Sequence, residues 1–231
     1  GLFGGRLSFA ISGAAPIEGI RTALTRILAS PDFLYRPEPA PAGKGPGDVF
    51  PLDDLQLASR LSFFLWSSLP DDELLEVAGA GGLSDDATLE KQVRRMLADK
   101  RSDALSTRFA SQWLRLQDLD KIFPDYLLYP QYDDTLARAL KRETELFFDS
   151  IVRDDRSIKE LLTADYTFLN DRLASHYGIS GVAGPQFRKV TLADQTRFGL
   201  LGKAAVLLRT SYGDRTSPVL RDRRAIISGR R

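Results

Sequence analysis

Few residues in this chain have the chemistry of a catalyst. His176 is the only histidine and there is no cysteine, which leaves one imidazole to exchange protons near neutral pH. It sits in Leu173-Ala174-Ser175-His176-Tyr177-Gly178, where it can act as an acid or base, or as an axial ligand to a haem held by another domain. The plainer role is structural: beside Tyr177-Gly178 the ring closes a helix and hydrogen-bonds the carbonyls left free at its end. On that reading His176→Ala lowers stability by about 1 kcal/mol. A second constellation is Thr210-Ser211-Tyr212-Gly213-Asp214-Arg215-Thr216-Ser217-Pro218-Val219-Leu220-Arg221. The polar groups of Ser211, Tyr212, Asp214, Thr216, Ser217 and Arg221 suit an anion or sugar, since guanidinium presents fixed paired donors. A polar loop of this kind serves more simply as a docking strap between domains. His176, Asp165 and Arg215 are the candidate catalytic set. Ser211 or Ser217 with His176 and an aspartate supplies hydrolase residue types, but no Gly-x-Ser-x-Gly elbow accompanies them.

The elements that must position these groups read as helices. Ile20, Leu24, Ile27 and Leu28 share one face of a helix over residues 18–28, which Ser30-Pro31 ends. Between Pro37 and Pro51 prolines and glycines crowd a stretch with little apolar content, a linker or surface strap. Asp53 or Asp54 caps a helix carrying Leu55, Ala58, Leu61, Phe64 and Leu65 to Trp66. A short helix restarts after Pro70, with Asp71-Asp72-Glu73 at its positive end. Ser84 caps the next, with Leu89, Val93, Met96 and Leu97 inward. A further helix over 102–116 carries Leu105, Phe109, Trp113 and Leu116. The longest opens at Asp133 or Asp134 and turns Leu136, Leu140, Thr144, Phe147, Ile151 and Val152 to the core. Short helices over 158–163 and 170–177 follow, the second capped by Asn170 and closed by Gly178. Residues 180–189 read as loop, and Thr191 caps a last helix to about Leu208 with Phe198, Leu201, Ala205 and Leu208 inward. Strand patterns are confined to 6–12 and 187–190. In Asp165-Tyr166-Thr167-Phe168-Leu169-Asn170-Asp171, Tyr166 and Phe168 anchor a turn. Glu143 and Glu145 lie about 200° apart around a helix, so they cannot form a paired-carboxylate site, and each reads as a solvated helix residue.

Composition narrows the classes further. Thirty-two basic and 31 acidic residues leave a net charge of +1, which supplies no broad field for nucleic acid or an anionic membrane. No run reaches the ~18 apolar residues of a membrane span. One histidine, one methionine and no cysteine are too few ligands for a conventional closed metal or haem site, so no metal site and no cofactor are expected in this chain.

Four blocks carry a resemblance: 52–75 (Leu52-Asp53-Asp54-Leu55 to Asp71-Asp72-Glu73-Leu74-Leu75), Glu143-Thr144-Glu145-Leu146-Phe147-Phe148, 164–179 (Ala164-Asp165-Tyr166-Thr167-Phe168 to His176-Tyr177-Gly178-Ile179), and Arg215-Thr216-Ser217-Pro218-Val219-Leu220-Arg221. In this order and spacing the chain resembles, from about Gly19 to Arg221, a family of large exported bacterial proteins of unknown function, best known from planctomycetes, that carry c-type haem motifs in other domains. The resemblance implies export to the periplasm or cell surface. It also implies c-type haem in regions outside this chain, and as partners other domains of the same polypeptide or a redox partner. The family continues past Arg221 toward a Cys-x-x-Cys-His-like segment, from which this chain departs. Residues 3–16 look instead like a strand-and-turn segment of long-chain acyl-CoA ligases.

The expected fold is mainly α, an irregular multi-helix bundle with long loops and few or no strands. Its expected divisions are an N-terminal segment of doubtful origin, a chance match or a foreign fusion (1–16), a short helix with a Pro/Gly-rich linker (17–51), a helical core (52–209) and the start of a following domain or docking strap (210–231). The expected function is a helical scaffold or interaction module of an exported, c-type-haem-associated protein. The alternative is an enzyme domain acting on an extracellular polymer such as a polysaccharide, with its pocket near His176, Asp165 and Arg215.

Overall fold

A computed structural model of the chain describes residues 16–35, 38, 41–45 and 47–212. The strand expected over 6–12 lies outside them. The chain divides into two units, 1–52 and 53–231. In the first, α1 (Pro16–Leu28) and α2 (Pro31–Leu34) meet at Ser30-Pro31, where the proline that ends one helix opens the next. The apolar stripe of α1, including Ile20, Leu24 and Ile27, is exposed.

The second unit is mainly α. It begins at α3 (Asp54–Trp66), whose Asp53 cap accepts from the Gln56 amide at 2.8 Å while the Gln56 side chain accepts from the Asp53 amide, a reciprocal capping box. Helix α4 (Asp72–Gly79) is capped by Asp71, which also accepts from both terminal guanidinium nitrogens of Arg95. Helix α5 (Asp86–Ala98) is capped by Asp85 and not by Ser84. The Ser84 hydroxyl instead donates to Asp54 of α3 at 2.6 Å, in the short turn that joins the helices. Trp66 is buried among these elements; its indole donates to the Met96 carbonyl at 2.9 Å and the Arg101 guanidinium stacks 3.5 Å above its ring.

The helix expected over 102–116 is broken. A π-helical turn, Leu105–Ala110, runs into α6 (Ser111–Trp113), and Arg115 takes a left-handed φ of 56° before a 3-10 turn, Leu116–Lys121. The wider turn disrupts the 3.6-residue register. Leu105 and Leu116 therefore reach the core, whereas Phe109 and Trp113 stay partly outside, stacked against each other.

Helix α7 (Asp134–Arg153), capped by Asp133, is the spine of this unit. Its Phe148 packs with Ala58, Leu74, Met96 and Leu105. Leu136 and Leu140 pack with Leu169, Leu173 and Ala205, and Phe147 and Ile151 with Tyr166 and Leu200. After α8 (Glu160–Thr163) the chain forms β1 (Tyr166–Leu169), then α9 (Asp171–Tyr177), then β2 (Arg188–Thr191). The strands pair antiparallel with Tyr166 opposite Thr191 and Leu169 opposite Arg188. The second strand lies within a residue of its expected place, but the segment read as an aromatic turn is its partner.

The last helix is much shorter than expected, because α10 spans only Ala204–Arg209. Thr191 closes β2 instead of capping a helix, and two 3-10 turns, Gln195–Arg197 and Leu200–Gly202, precede α10. Gly199 has a φ of 60°, and its amide donates to the Ala164 carbonyl at 2.9 Å. A Cβ at Gly199 would overlap the Leu162 backbone, and one at Gly202 the Arg197 backbone. Leu201 is turned to solvent as a result. Gly199→Ala is expected to destabilise the domain by more than about 2 kcal/mol, combining backbone strain with steric overlap; urea unfolding followed by circular dichroism measures the loss.

Candidate functional site

Glu143 lies on the apolar stripe of α7, one turn from Leu140 and Phe147, and is 0% exposed. Its carboxylate accepts from the Thr167 hydroxyl of β1 and, at 2.6 Å, from the Tyr177 hydroxyl of α9. The Tyr177 oxygen in turn accepts from the Ala204 amide at 3.1 Å. That amide belongs to the start of α10, whose first free N–H groups need acceptors. Because Tyr177 has one proton and its oxygen already receives the amide, the direction of the chain of bonds is fixed. The proton of Tyr177 points to Glu143.

Lys203 completes this buried set. It is 1% exposed, its ammonium donates to the Tyr166 carbonyl at 3.0 Å, and it stands 4.3 Å from the centre of the Phe147 ring. Burial pushes the Lys203 amine down to about 8, against the pull of the Glu143 charge. Burial pushes the Glu143 carboxyl up, opposed by Lys203, by the Thr167 and Tyr177 hydrogen bonds and by Arg197. Burial and the same carboxylate raise the Tyr177 phenol. The two hydroxyls donating to separate carboxylate oxygens favour the ionised form, as does the nearby ammonium. These groups hold α7, β1, α9 and α10 together.

Glu143 and Glu145 are thus both buried, contrary to the solvated role expected of them. They do serve different partners: Glu145 accepts from the Ser111 hydroxyl at 3.3 Å and pairs with Arg142.

Beside this network lies a pocket of about 440 Å³, walled by the 124–132 segment, α7, α9 and α10. It gathers three of the residues singled out in the sequence, His176, Ser211 and Tyr212. Asp165 is not among its lining residues; its side chain is exposed and its carbonyl accepts from the Leu192 amide. Asp214, Arg215, Thr216, Ser217 and Arg221 lie outside the described residues. The Ser211 hydroxyl donates to the Leu207 carbonyl at 2.8 Å. Tyr132 also lines the pocket, and its hydroxyl is buried with no hydrogen-bond partner. The 124–132 segment is tied to α9 by Arg172, which donates to the Gln131 carbonyl and to Asp133.

His176 forms no hydrogen bond with the end of α9. The carbonyls of Ala174 and Ser175 accept from the Gly178 amide, with Gly178 at a φ of 69°, and Ile179 also donates to Ala174. The glycine performs the closure expected of the imidazole. Partial burial, together with the charges of Arg197 and Arg172, pushes the His176 ring below its usual range and favours its neutral form. Among the described residues no three His, Asp or Glu side chains cluster as a metal site, and no helix is long and apolar enough to cross a membrane.

The fold and its buried carboxylate–hydroxyl–amine network define a mainly helical domain organised around one long helix. A family profile, PSD4, described as protein of unknown function (DUF1592), matches residues 52–179, more than half of the chain, and the chain belongs to that family. Comparison with curated proteins and with solved structures yields no match. The matched range contains Glu143, Thr167 and Tyr177, while Lys203 and α10 lie beyond it.

Sequence reasoning did not find Lys203, Thr167 or Tyr132 as partners. A signal for Lys203 is present: it is the one charge within Leu200-Leu201-Gly202-Lys203-Ala204-Ala205-Val206-Leu207-Leu208. The unfolded state binds the Lys203 proton up to the ordinary lysine value, whereas the folded state releases it at about 8. Between pH 8 and about 10 the unfolded chain therefore holds more protons at this residue, and its contribution to folding stability rises with pH. Lys203→Met should remove that rise, as read by chemical unfolding at a series of pH values. Glu143→Ala should cost about 3 kcal/mol in the same assay, because it strands a buried ammonium and two hydroxyls. His176→Ala, with no helix-end bond to lose, should stay within about 0.5 kcal/mol of the unaltered protein.

Proposed function

We propose that this domain is a helical scaffold that docks other domains of its own polypeptide or a redox partner, within an exported protein associated with c-type haem. The export and haem parts of this reading rest on the resemblance carried by the four sequence blocks. The docking part rests on one observation, the apolar segment that enters α7. Phe123 is 83% exposed and Leu127 73%, and Tyr126 and Leu128 are also open to solvent. Large apolar side chains concentrated on one exposed segment mark a contact surface. The segment borders the pocket, whose lining includes Ser211 and Tyr212 of the expected docking strap. The buried acid and base, Glu143 and Lys203, are enclosed and engaged in holding four elements together, as a scaffold requires.

A polymer-degrading enzyme is the second reading, favoured by the presence of His176 and Ser211 in one pocket. No carboxylate is among the described lining residues to serve as the imidazole's partner. Hydrogen exchange separates the two. In a longer polypeptide that includes the haem-bearing regions, amides of 123–129 should exchange at least tenfold more slowly than in this chain alone, and Leu127→Asp should abolish the difference while leaving the helical spectrum intact. Equal exchange in both, with polysaccharide turnover that His176→Ala eliminates, would overturn the scaffold in favour of the enzyme.

A further inference from the structure

The 440 Å³ pocket beside α10 falls within the size range of small-molecule sites, about 300–1,000 Å³. Its described lining contains no Asp, Glu, Lys or Arg. A charged ligand entering it would lose hydration without gaining a counter-charge, so the site selects against ions. Leu136, Leu140, Leu207 and Leu208 supply apolar wall, and the aromatic rings of Tyr129 and Tyr132 supply flat surface. One polar feature of this lining is left unused by the fold: the Tyr132 hydroxyl is buried without a hydrogen-bond partner, whereas His176 is exposed to solvent. The Ser211 hydroxyl is already committed to the Leu207 carbonyl. An orphaned hydroxyl in an apolar wall is a donor awaiting an acceptor, because a buried polar group left unmade carries its desolvation penalty until one arrives.

We propose that this pocket is a binding site for a neutral, mainly apolar small molecule that carries a carbonyl-type hydrogen-bond acceptor, with Tyr132 as the donor that orients it. The apolar body fills the leucine-lined wall, and the carbonyl meets the phenol once the Tyr132 side chain pivots about its Cα–Cβ bond and brings the enclosed hydroxyl to the pocket surface. Affinity comes chiefly from apolar area, whereas selection among ligands of equal shape comes from the single hydrogen bond. The site shares Leu128 with the docking surface, but its leucine wall and its donor, Tyr132, are distinct from the outward side chains of Phe123, Tyr126 and Leu127.

Two probes of matched shape test it: benzophenone, which carries a carbonyl, and 1,1-diphenylethylene, in which a methylene replaces the oxygen. Titration followed by ligand-observed nuclear magnetic resonance should show benzophenone binding about threefold to tenfold more tightly, the usual worth of one neutral hydrogen bond. Tyr132→Phe should equalise the two by weakening the ketone alone. The anionic 4-benzoylbenzoate should bind at least about tenfold more weakly than benzophenone. Photolysis of bound benzophenone should label pocket residues such as Leu136, Leu207 or Leu208, which locates the site without any variant. Labelling confined to other residues, or no saturable binding up to millimolar probe, would overturn the site. Equal affinities in the unaltered protein, or a ketone preference that persists in Tyr132→Phe, would overturn the assignment of Tyr132.

Discussion

Burial of the Glu143 carboxylate on α7 is the constraint to which the rest of the second unit answers. A carboxylate removed from water must recover its hydration from the protein, and here the replacements come from residues far along the chain. Thr167 arrives on β1, Tyr177 at the end of α9 and Lys203 just before α10. Each can reach the helix only if the connections between them take their observed course. Pairing of β1 with β2 presents Thr167, the cap at Asn170 sets the start of α9, and the sharp passage through Gly199 and Gly202 delivers Lys203. Leucine contacts would permit many arrangements of these elements. Directed hydrogen bonds to one enclosed acceptor permit far fewer.

Helices with a local cause were legible in the sequence. Asp53, Asp133 and Asn170 cap their helices as their spacing before apolar stripes indicates, and Gly178 closes α9 in the left-handed form that favours glycine. Elements fixed by distant partners were not. The break of the expected 191–208 helix depends on a close approach to Leu162, which no local pattern announces. Likewise the π-helical turn before α6 belongs to a segment whose periodicity reads as a continuous helix. For Tyr166 to Leu169, aromatic and β-branched residues have strand propensity, but four residues are too short to separate a strand from a turn without sight of the partner.

The site divides in the same way. His176, Ser211 and Tyr212 drew attention by residue type, and the fold places them around one pocket. Residue type said nothing of the orphaned Tyr132 hydroxyl, because lack of a partner is a property of the surroundings. Glu143 was misread because glutamate is mostly a surface residue. Its position between Leu140 and Phe147 on the buried stripe was the stronger indication. The match to the family profile ends at residue 179, yet the network reaches Lys203, so the physical unit is longer than the matched stretch. A shorter chain ending with the matched stretch would retain the acid and lose its base.

The two tryptophans occupy opposite environments. Trp66 is enclosed, bound through its indole nitrogen and covered by a guanidinium, whereas Trp113 is 45% exposed and faces Phe109 and Phe148. Their emission accordingly reports two separate places, the junction of α3 and α5 and the surface beside α6. A collisional quencher dissolved in water reaches the second indole far more readily than the first. Fluorescence thus resolves an interior and an exterior signal from the same chain, with no label added.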